Sequence, residues 1–297
     1  MAAPSQAALA APGVKQVVSD YFTLTKPKVQ LLLLLTTITT MYVAGDPSLG
    51  LVAVAVVGGF LSAGGAGAFN HWYDRDIDAA MARTAMRPVP AGRISPRAAL
   101  IYAFALQIAS FVILTAGANL LSAFLALAGF VWYTVVYTVW LKRRSPQNIV
   151  IGGAAGAVPP LVGWAAVTGS LAPTALYLFA IIFYWTPPHF WALSLLMKKE
   201  YENVGVPMMP VVHGEKETCR QIVLYTLLLT LLTLLPFVFG FFGVIYAIVA
   251  VGLNAAFITL AIRLQRNADR ASALRAYLFS LSYLAILFVA MVADAQL

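Results

Sequence analysis

Runs of about 20 apolar residues, the length a helix needs to cross a bilayer, recur along this chain with the charges confined to the links between them. There are nine, at 28–45, 49–69, 97–116, 120–140, 149–168, 172–192, 222–242, 244–263 and 275–293. Backbone groups inside lipid must be hydrogen-bonded within their own segment, so apolar runs of this length are helices. A chain of 297 residues that is 61% hydrophobic and 10% charged, with mean hydropathy +0.85, cannot bury its apolar surface as a soluble domain. The expected fold is all-α: a polytopic membrane protein with nine transmembrane helices.

All 19 Lys and Arg lie in alternate links. Lys15, Lys26 and Lys28 precede the first run; Arg75, Arg83, Arg87, Arg93 and Arg97 follow the second. Lys142, Arg143 and Arg144 follow the fourth, and Lys198, Lys199, Lys216 and Arg220 the sixth; Arg263, Arg266, Arg270 and Arg275 surround the last link. By the positive-inside rule the N-terminus is cytoplasmic and the C-terminus outside. Orientation and anionic lipid account for the net charge of +8, so no nucleic-acid partner is required. The two longest links, 70–96 and 193–221, share the cytoplasmic side, and chemistry is expected to open there. A single cysteine, Cys219, excludes an internal disulfide framework. Residues 1–20, opening M-A-A-P-S-Q-A-A-L-A-A-P-G, are expected to be disordered, with one domain over 21–297. The segment has the pattern of neither a cleaved signal peptide nor an Arg-rich transit peptide, which favours a multi-pass protein of a bacterial inner membrane.

At the end of the second run stands N-H-W-Y-D-R-D-I-D, residues 70–78. Asn70, Asp74 and Asp78 are spaced i, i+4, i+8 and stack on one helical face with about 40° of drift per step. Like charges at that spacing weaken a helix, but two carboxylates and an amide suit Mg²⁺, which takes oxygen ligands and completes its shell with substrate phosphates. Such a column can also merely cap a helix in water. The sequel, with Arg83, Arg87 and Arg93, favours a diphosphate site, since guanidinium forks match phosphate oxygens. Asp76 points roughly 160° away and takes an outer or solvated position.

Other segments leave two readings each. The glycines of G-G-F-L-S-A-G-G-A-G-A-F, 58–69, either let helices approach closely or leave room for a substrate. Trp132, Tyr133, Tyr137 and Trp140 form an interfacial belt, or Tyr133 and Tyr137 line a cavity. Pro159 and Pro160 imply a kinked helix against such a cavity. His189, flanked by Trp185, Phe190 and Trp191, is the one ionisable side chain inside an apolar run, and either bonds two helices or serves a ligand. His71 and His213 fall at the charged surface, where solvation is expected.

In this order the motifs resemble the UbiA superfamily of intramembrane prenyltransferases. D-R-D-I-D-A-A-M-A-R-T-A-M-R-P-V-P-A-G-R, N-I-V-I-G-G-A-A-G-A-V-P-P-L-V-G-W, W-T-P-P-H-F-W-A-L and G-V-P-M-M-P-V-V are similar to its haem-farnesylating branch. The likeness covers Lys26 to Arg220 and implies nine helices around a central intramembrane cavity. The implied reaction moves the farnesyl group of farnesyl diphosphate to a vinyl group of haem B with addition of water, giving haem O and diphosphate for haem-copper oxidase assembly. Mg²⁺ is the implied cofactor and haem B a substrate. Membrane lipid surrounds the protein, and a downstream haem-modifying enzyme or oxidase assembly factors are implied partners.

On this reading Asn70, Asp74 and Asp78 are catalytic and hold the metal, with Glu200 a further candidate ligand. The superfamily's second acidic motif, D-x-x-x-D, reads E-Y-E-N-V here, which puts a second metal in question. Arg83, Arg87, Lys142, Lys198 and Lys199 are the candidate diphosphate contacts, and His189, Trp185, Trp191, Phe190, Tyr133 and Tyr137 the haem and prenyl cavity. Aromatic rings suit the cavity because an allylic cation needs a dry, electron-rich wall. Two rivals are a prenyltransferase with an aromatic acceptor, which would not need the W-T-P-P-H-F-W block, and a secondary transporter, whose polar site would lie at the midplane.

Overall fold

The computed structural model describes residues 13–297, and every regular element among them is a helix. Of the segment expected to be disordered, residues 1–12 lie outside the described residues. Residues 14–20 instead belong to helix α1 (Val14–Leu24), because Asp20 and Leu24 give it a face to bury.

Among the described residues, eight helical stretches are long and apolar enough to cross a membrane. They are α2 (Pro27–Ala44), α3 (Leu49–Tyr73), α5 (Pro96–Gly117), Leu120–Leu141, Asn148–Thr168, α12 (Gly214–Val238), α13 (Val244–Asn267) and α14 (Arg270–Ala295). The fourth consists of α6 (Leu120–Val131) and a π-helix (Trp132–Leu141); the fifth of α7 (Asn148–Gly152) and α8 (Ala154–Thr168). The remaining long helix, α9 (Pro173–Leu196), is diluted by Tyr, Trp, Thr, Pro and His and falls short of the eight in apolarity. α12 starts well before the expected 222, since Glu215 and Glu217 in its first turn face the positive end of the helix dipole.

Short elements cap the charged end: α4 (Arg75–Ala80), an irregular link 81–95, α10 (Lys198–Asn203) and α11 (Met209–Val212). Glycines of α3 serve close approach. A Cβ on Gly65 would stand 2.7 Å from the Ala103 carbonyl of α5, and one on Gly67 2.9 Å from the Leu24 carbonyl of α1. α2 packs against α3, α8 and α14, and α9 against α8, α12 and α14. The break in the fifth stretch falls at Gly153, ahead of the proline pair, and α8 runs through Pro159 and Pro160.

Candidate active site

The acidic column spans the junction of α3 and α4. The helix pauses at Asp74, yet Asp74 N donates to Asn70 O at 2.9 Å and Asp78 N to Asp74 O at 2.8 Å, so the i, i+4 stacking survives. Asn70, Asp74 and Asp78 are 3%, 0% and 4% exposed, which removes the solvated-cap reading. Asn70 Nδ2 donates to Asp74 Oδ2 at 2.6 Å and to Thr138 Oγ1 of the π-helix at 3.3 Å. Asp76 is on the outer side, 62% exposed, and both its oxygens accept from Arg143 at 2.7 Å. That guanidinium also reaches Tyr73 O and Asp74 Oδ1, and it lowers the Asp76 pKa to about 2.

Each buried acid has a basic partner. Lys142 Nζ donates to Asp74 Oδ2, and Arg87 Nη1 bonds both oxygens of Asp78 at 2.9 and 2.7 Å. Lys142 reaches Asp74 because the π-helix ends just before it: its amide donates to Tyr137 O, an i→i−5 bond of 2.8 Å. Wide turns of this kind recur at functional sites.

Sequence reasoning missed one member of the cluster. Lys26 Nζ donates to Asn70 Oδ1 at 2.6 Å and lies 3.4 Å from the Tyr133 hydroxyl. Its backbone is left-handed at φ 54°, strained for a lysine, as it turns from α1 into Pro27 of α2. Burial, with repulsion from Arg87 and Lys142, draws its ammonium pKa down to about 7. An arriving anion would restore its full charge. The signal was T-K-P-K itself, where a helix-starting proline restricts the backbone of the lysine before it.

The other candidate cations stand farther off. Arg83 Nε is 3.9 Å from Glu200 Oε2, linking the 81–95 segment to α10. Lys198 pairs with Glu215 at 3.0 Å, and Lys199 is exposed. Arg93 bonds Asp20 of α1 rather than the column.

The six aromatic-cavity candidates divide. Tyr137 and Phe190 pack with Ile77 and Met81 beside the column, and the Tyr133 ring lies tilted against that of Tyr137, 5.2 Å between centroids. Trp132 and Trp140 face outward, as a belt would. Trp191 is 1% exposed and packs among Cys219, Ile222 and Leu264, away from the column. His189 lies between the rings of Trp185 (4.3 Å) and Tyr277 (4.9 Å), its Nδ1 2.7 Å from Ser280 Oγ of α14. His213 is exposed, but His71, expected in solvent, is 2% exposed with Nδ1 unpartnered.

A Cβ on Gly152 of α7 would overlap the Tyr137 ring, so Gly152 lets that ring turn inward. Gly152→Ala is expected to cost about 1–3 kcal/mol by overpacking. A thermal melt in detergent checks this, and adding Tyr137→Ala should recover most of the loss.

The donor set fits Mg²⁺. Asp74 and Asp78 are buried carboxylates, hard-oxygen donors beside an amide, and Mg²⁺ ordinarily takes one or two carboxylates from protein and the rest from substrate phosphates and water. Among the described residues no three His, Cys, Asp or Glu side chains form a metal-ligating group.

The UbiA prenyltransferase family model matches residues 33–285. A protoheme IX farnesyltransferase of Roseiflexus sp. is 54% identical over 284 residues, 95% of this chain and 53% of the relative. One of Gloeobacter violaceus is 49% identical over 294 residues, 98% of this chain and 96% of the relative. The chain thus spans about half the length of the Roseiflexus relative and nearly all of the Gloeobacter one. Among solved structures, a digeranylgeranylglyceryl phosphate synthase superposes with TM-score 0.78 at 18% identity, covering 95% of this chain and 100% of that one. A UbiA homologue from Archaeoglobus fulgidus, bound to DMAPP and Mg²⁺, gives 0.69 at 18% identity over 92% and 99%.

Proposed function

Because the chain belongs to the UbiA prenyltransferase family, we propose that it transfers the farnesyl group of farnesyl diphosphate to a vinyl group of haem B. One observation carries the reading: Asp74 and Asp78 are buried, and each is opposed by a basic side chain at the same mouth. An acid that must hold a metal and a base that must hold a phosphate are each other's counter-ions until the ligand arrives. The names of the relatives support haem as acceptor.

Bound Mg²⁺ would neutralise charge on the departing diphosphate. Asp74 and Asp78, with Asn70, would hold it, and Lys26, Arg87 and Lys142 would face the phosphate oxygens. The same charges favour breaking the allylic C–O bond, because they are strongest where negative charge develops. Tyr133, Tyr137 and Phe190 would wall the allylic cation and keep water from it. The new C–C bond forms at the terminal vinyl carbon. Water adds to the inner carbon and loses a proton, so haem gains one farnesyl group and one hydroxyl.

His189 is read as the residue that serves the haem. Ser280 Oγ donates to Tyr277 O at 2.6 Å, so it accepts from His189 Nδ1–H and leaves the Nε2 lone pair free for an iron. Loading His189→Ala with haem B should shift the Soret band relative to wild type. An unchanged band and haem affinity, with lowered stability, would make His189 a packing residue between α9 and α14.

The remaining parts of the reading follow from charge and family. α9 brings the spans to nine, as the sixth in chain order; the N-terminus is cytoplasmic and the C-terminus outside, and the site opens to the cytoplasm of a bacterial inner membrane. The product passes to a haem-modifying enzyme or to oxidase assembly factors. Diphosphate release should require both Mg²⁺ and haem B, stop on chelation and not proceed with an aromatic acid in place of haem. Release supported equally by the aromatic acid would favour the rival with an aromatic acceptor.

A further inference from the structure

We infer that Asp20, on α1, is a positioning residue for the diphosphate site, acting through Arg93 on Arg87; this rests on the prenyl-diphosphate reading above. Arg87 emerges from an irregular link, where nothing in a helix or sheet fixes its direction. The two carbonyls that flank it, Met86 O and Pro88 O, are both held by Arg93. Its Nη2 donates to Met86 O at 3.1 Å, and its backbone N donates to Pro88 O at 2.9 Å. One residue therefore grips the chain on both sides of Arg87.

Arg93 is held in turn. Its Nε and Nη2 donate to the two Asp20 oxygens at 2.9 and 3.0 Å, a bidentate pair. Asp20 is 4% exposed and also accepts from Gln16 Nε2 at 3.1 Å. The Arg93 guanidinium lowers the Asp20 pKa, so the carboxylate stays charged at neutral pH. α1 makes a firm anchor: Leu24 is fully buried against Val89 and Ile94 of the same link, and its carbonyl abuts Gly67 of α3.

The two ion pairs of the link differ in what surrounds them. Arg87 and Asp78 are partners only until each has a ligand to serve. Asp20 lies outside the acidic column, and both its oxygens are taken by Arg93. The outer pair is thus the fixed point from which the inner arginine is aimed. A pair that only packed α1 against the bundle would have no reason to engage Met86 O.

The test uses full-length protein in detergent with farnesyl diphosphate and Mg²⁺, measuring prenyl-diphosphate binding by calorimetry and the KM of each substrate. Asp20→Asn should weaken farnesyl diphosphate about tenfold while leaving the KM for haem B within about twofold. Arg93→Lys should do the same, because a single ammonium cannot bond Asp20 bidentately and Met86 O together. Arg87→Met should weaken binding further, and adding Asp20→Asn to it should change nothing more, as expected of residues acting in series. Multiplying effects in the double variant would overturn the proposal. So would equal shifts for both substrates, or a lowered melting temperature with unchanged binding, which leaves a packing contact alone. If wild type itself fails to bind farnesyl diphosphate, the prenyl-diphosphate reading falls first, and that result is distinct from normal wild-type binding with an indifferent Asp20→Asn.

Discussion

Asp74→Ala or Asp78→Ala is expected to lower diphosphate release by about a thousandfold or more, the scale of losing a charge-stabilising group at a reacting centre. Both carboxylates are buried on one face, each paired with its own cation. Each variant also leaves a cation, Lys142 or Arg87, without its counter-ion near the bundle interior. Some stability should therefore be lost, and membrane-inserted, monodisperse protein is needed for the comparison. Asp76→Asn serves as the control, since Asp76 is exposed and meets the column only through Arg143. Its effect should be within a few-fold. Near-normal turnover by either alanine variant at low Mg²⁺ would show that the column does not hold the metal.

Lys142→Met should move two properties in opposite directions. With no substrate present, Lys142 occupies Asp74 and competes with a metal for it. Removing the ammonium should tighten Mn²⁺ binding to the free protein, by about tenfold for one displaced charge pair of about 1.4 kcal/mol. Farnesyl diphosphate should bind far more weakly to the same variant, because a phosphate contact is gone. In wild type the metal and the diphosphate are then expected to bind much better together than singly, each releasing the partner the other needs. Paramagnetic resonance of Mn²⁺ with and without inorganic diphosphate reads both effects. Weaker Mn²⁺ binding by Lys142→Met in the absence of diphosphate would contradict the exchange of partners.

Much of this was legible in the chain. Apolar length carried the multi-pass helical architecture, since the length of a spanning helix follows from bilayer thickness alone. The acidic column was readable because i, i+4 spacing maps directly onto one face, even across the pause at Asp74. Less accessible was everything set by tertiary approach. Lys26 reaches Asn70 from 44 residues away, and only its proline neighbour hinted that it was fixed. The π-helix that aims Lys142 at Asp74 leaves no pattern in W-Y-T-V-V-Y-T-V-W-L that a 3.6-residue period would reveal. Arg93 looked like Arg83 and Arg87 by spacing, and only the fold of α1 back onto the link separates it from them. His71 was misplaced because a residue at the boundary of an apolar run can face the bundle as easily as the water.

Mass analysis of haem extracted after incubation of purified protein with haem B, farnesyl diphosphate and Mg²⁺ tests the proposed reaction most directly. The expected product carries one farnesyl group and one water beyond haem B, appears only with Mg²⁺, and matches the diphosphate released one for one. Unmodified haem alongside hydrolysed farnesyl diphosphate, or prenylation of another acceptor in its place, would contradict it.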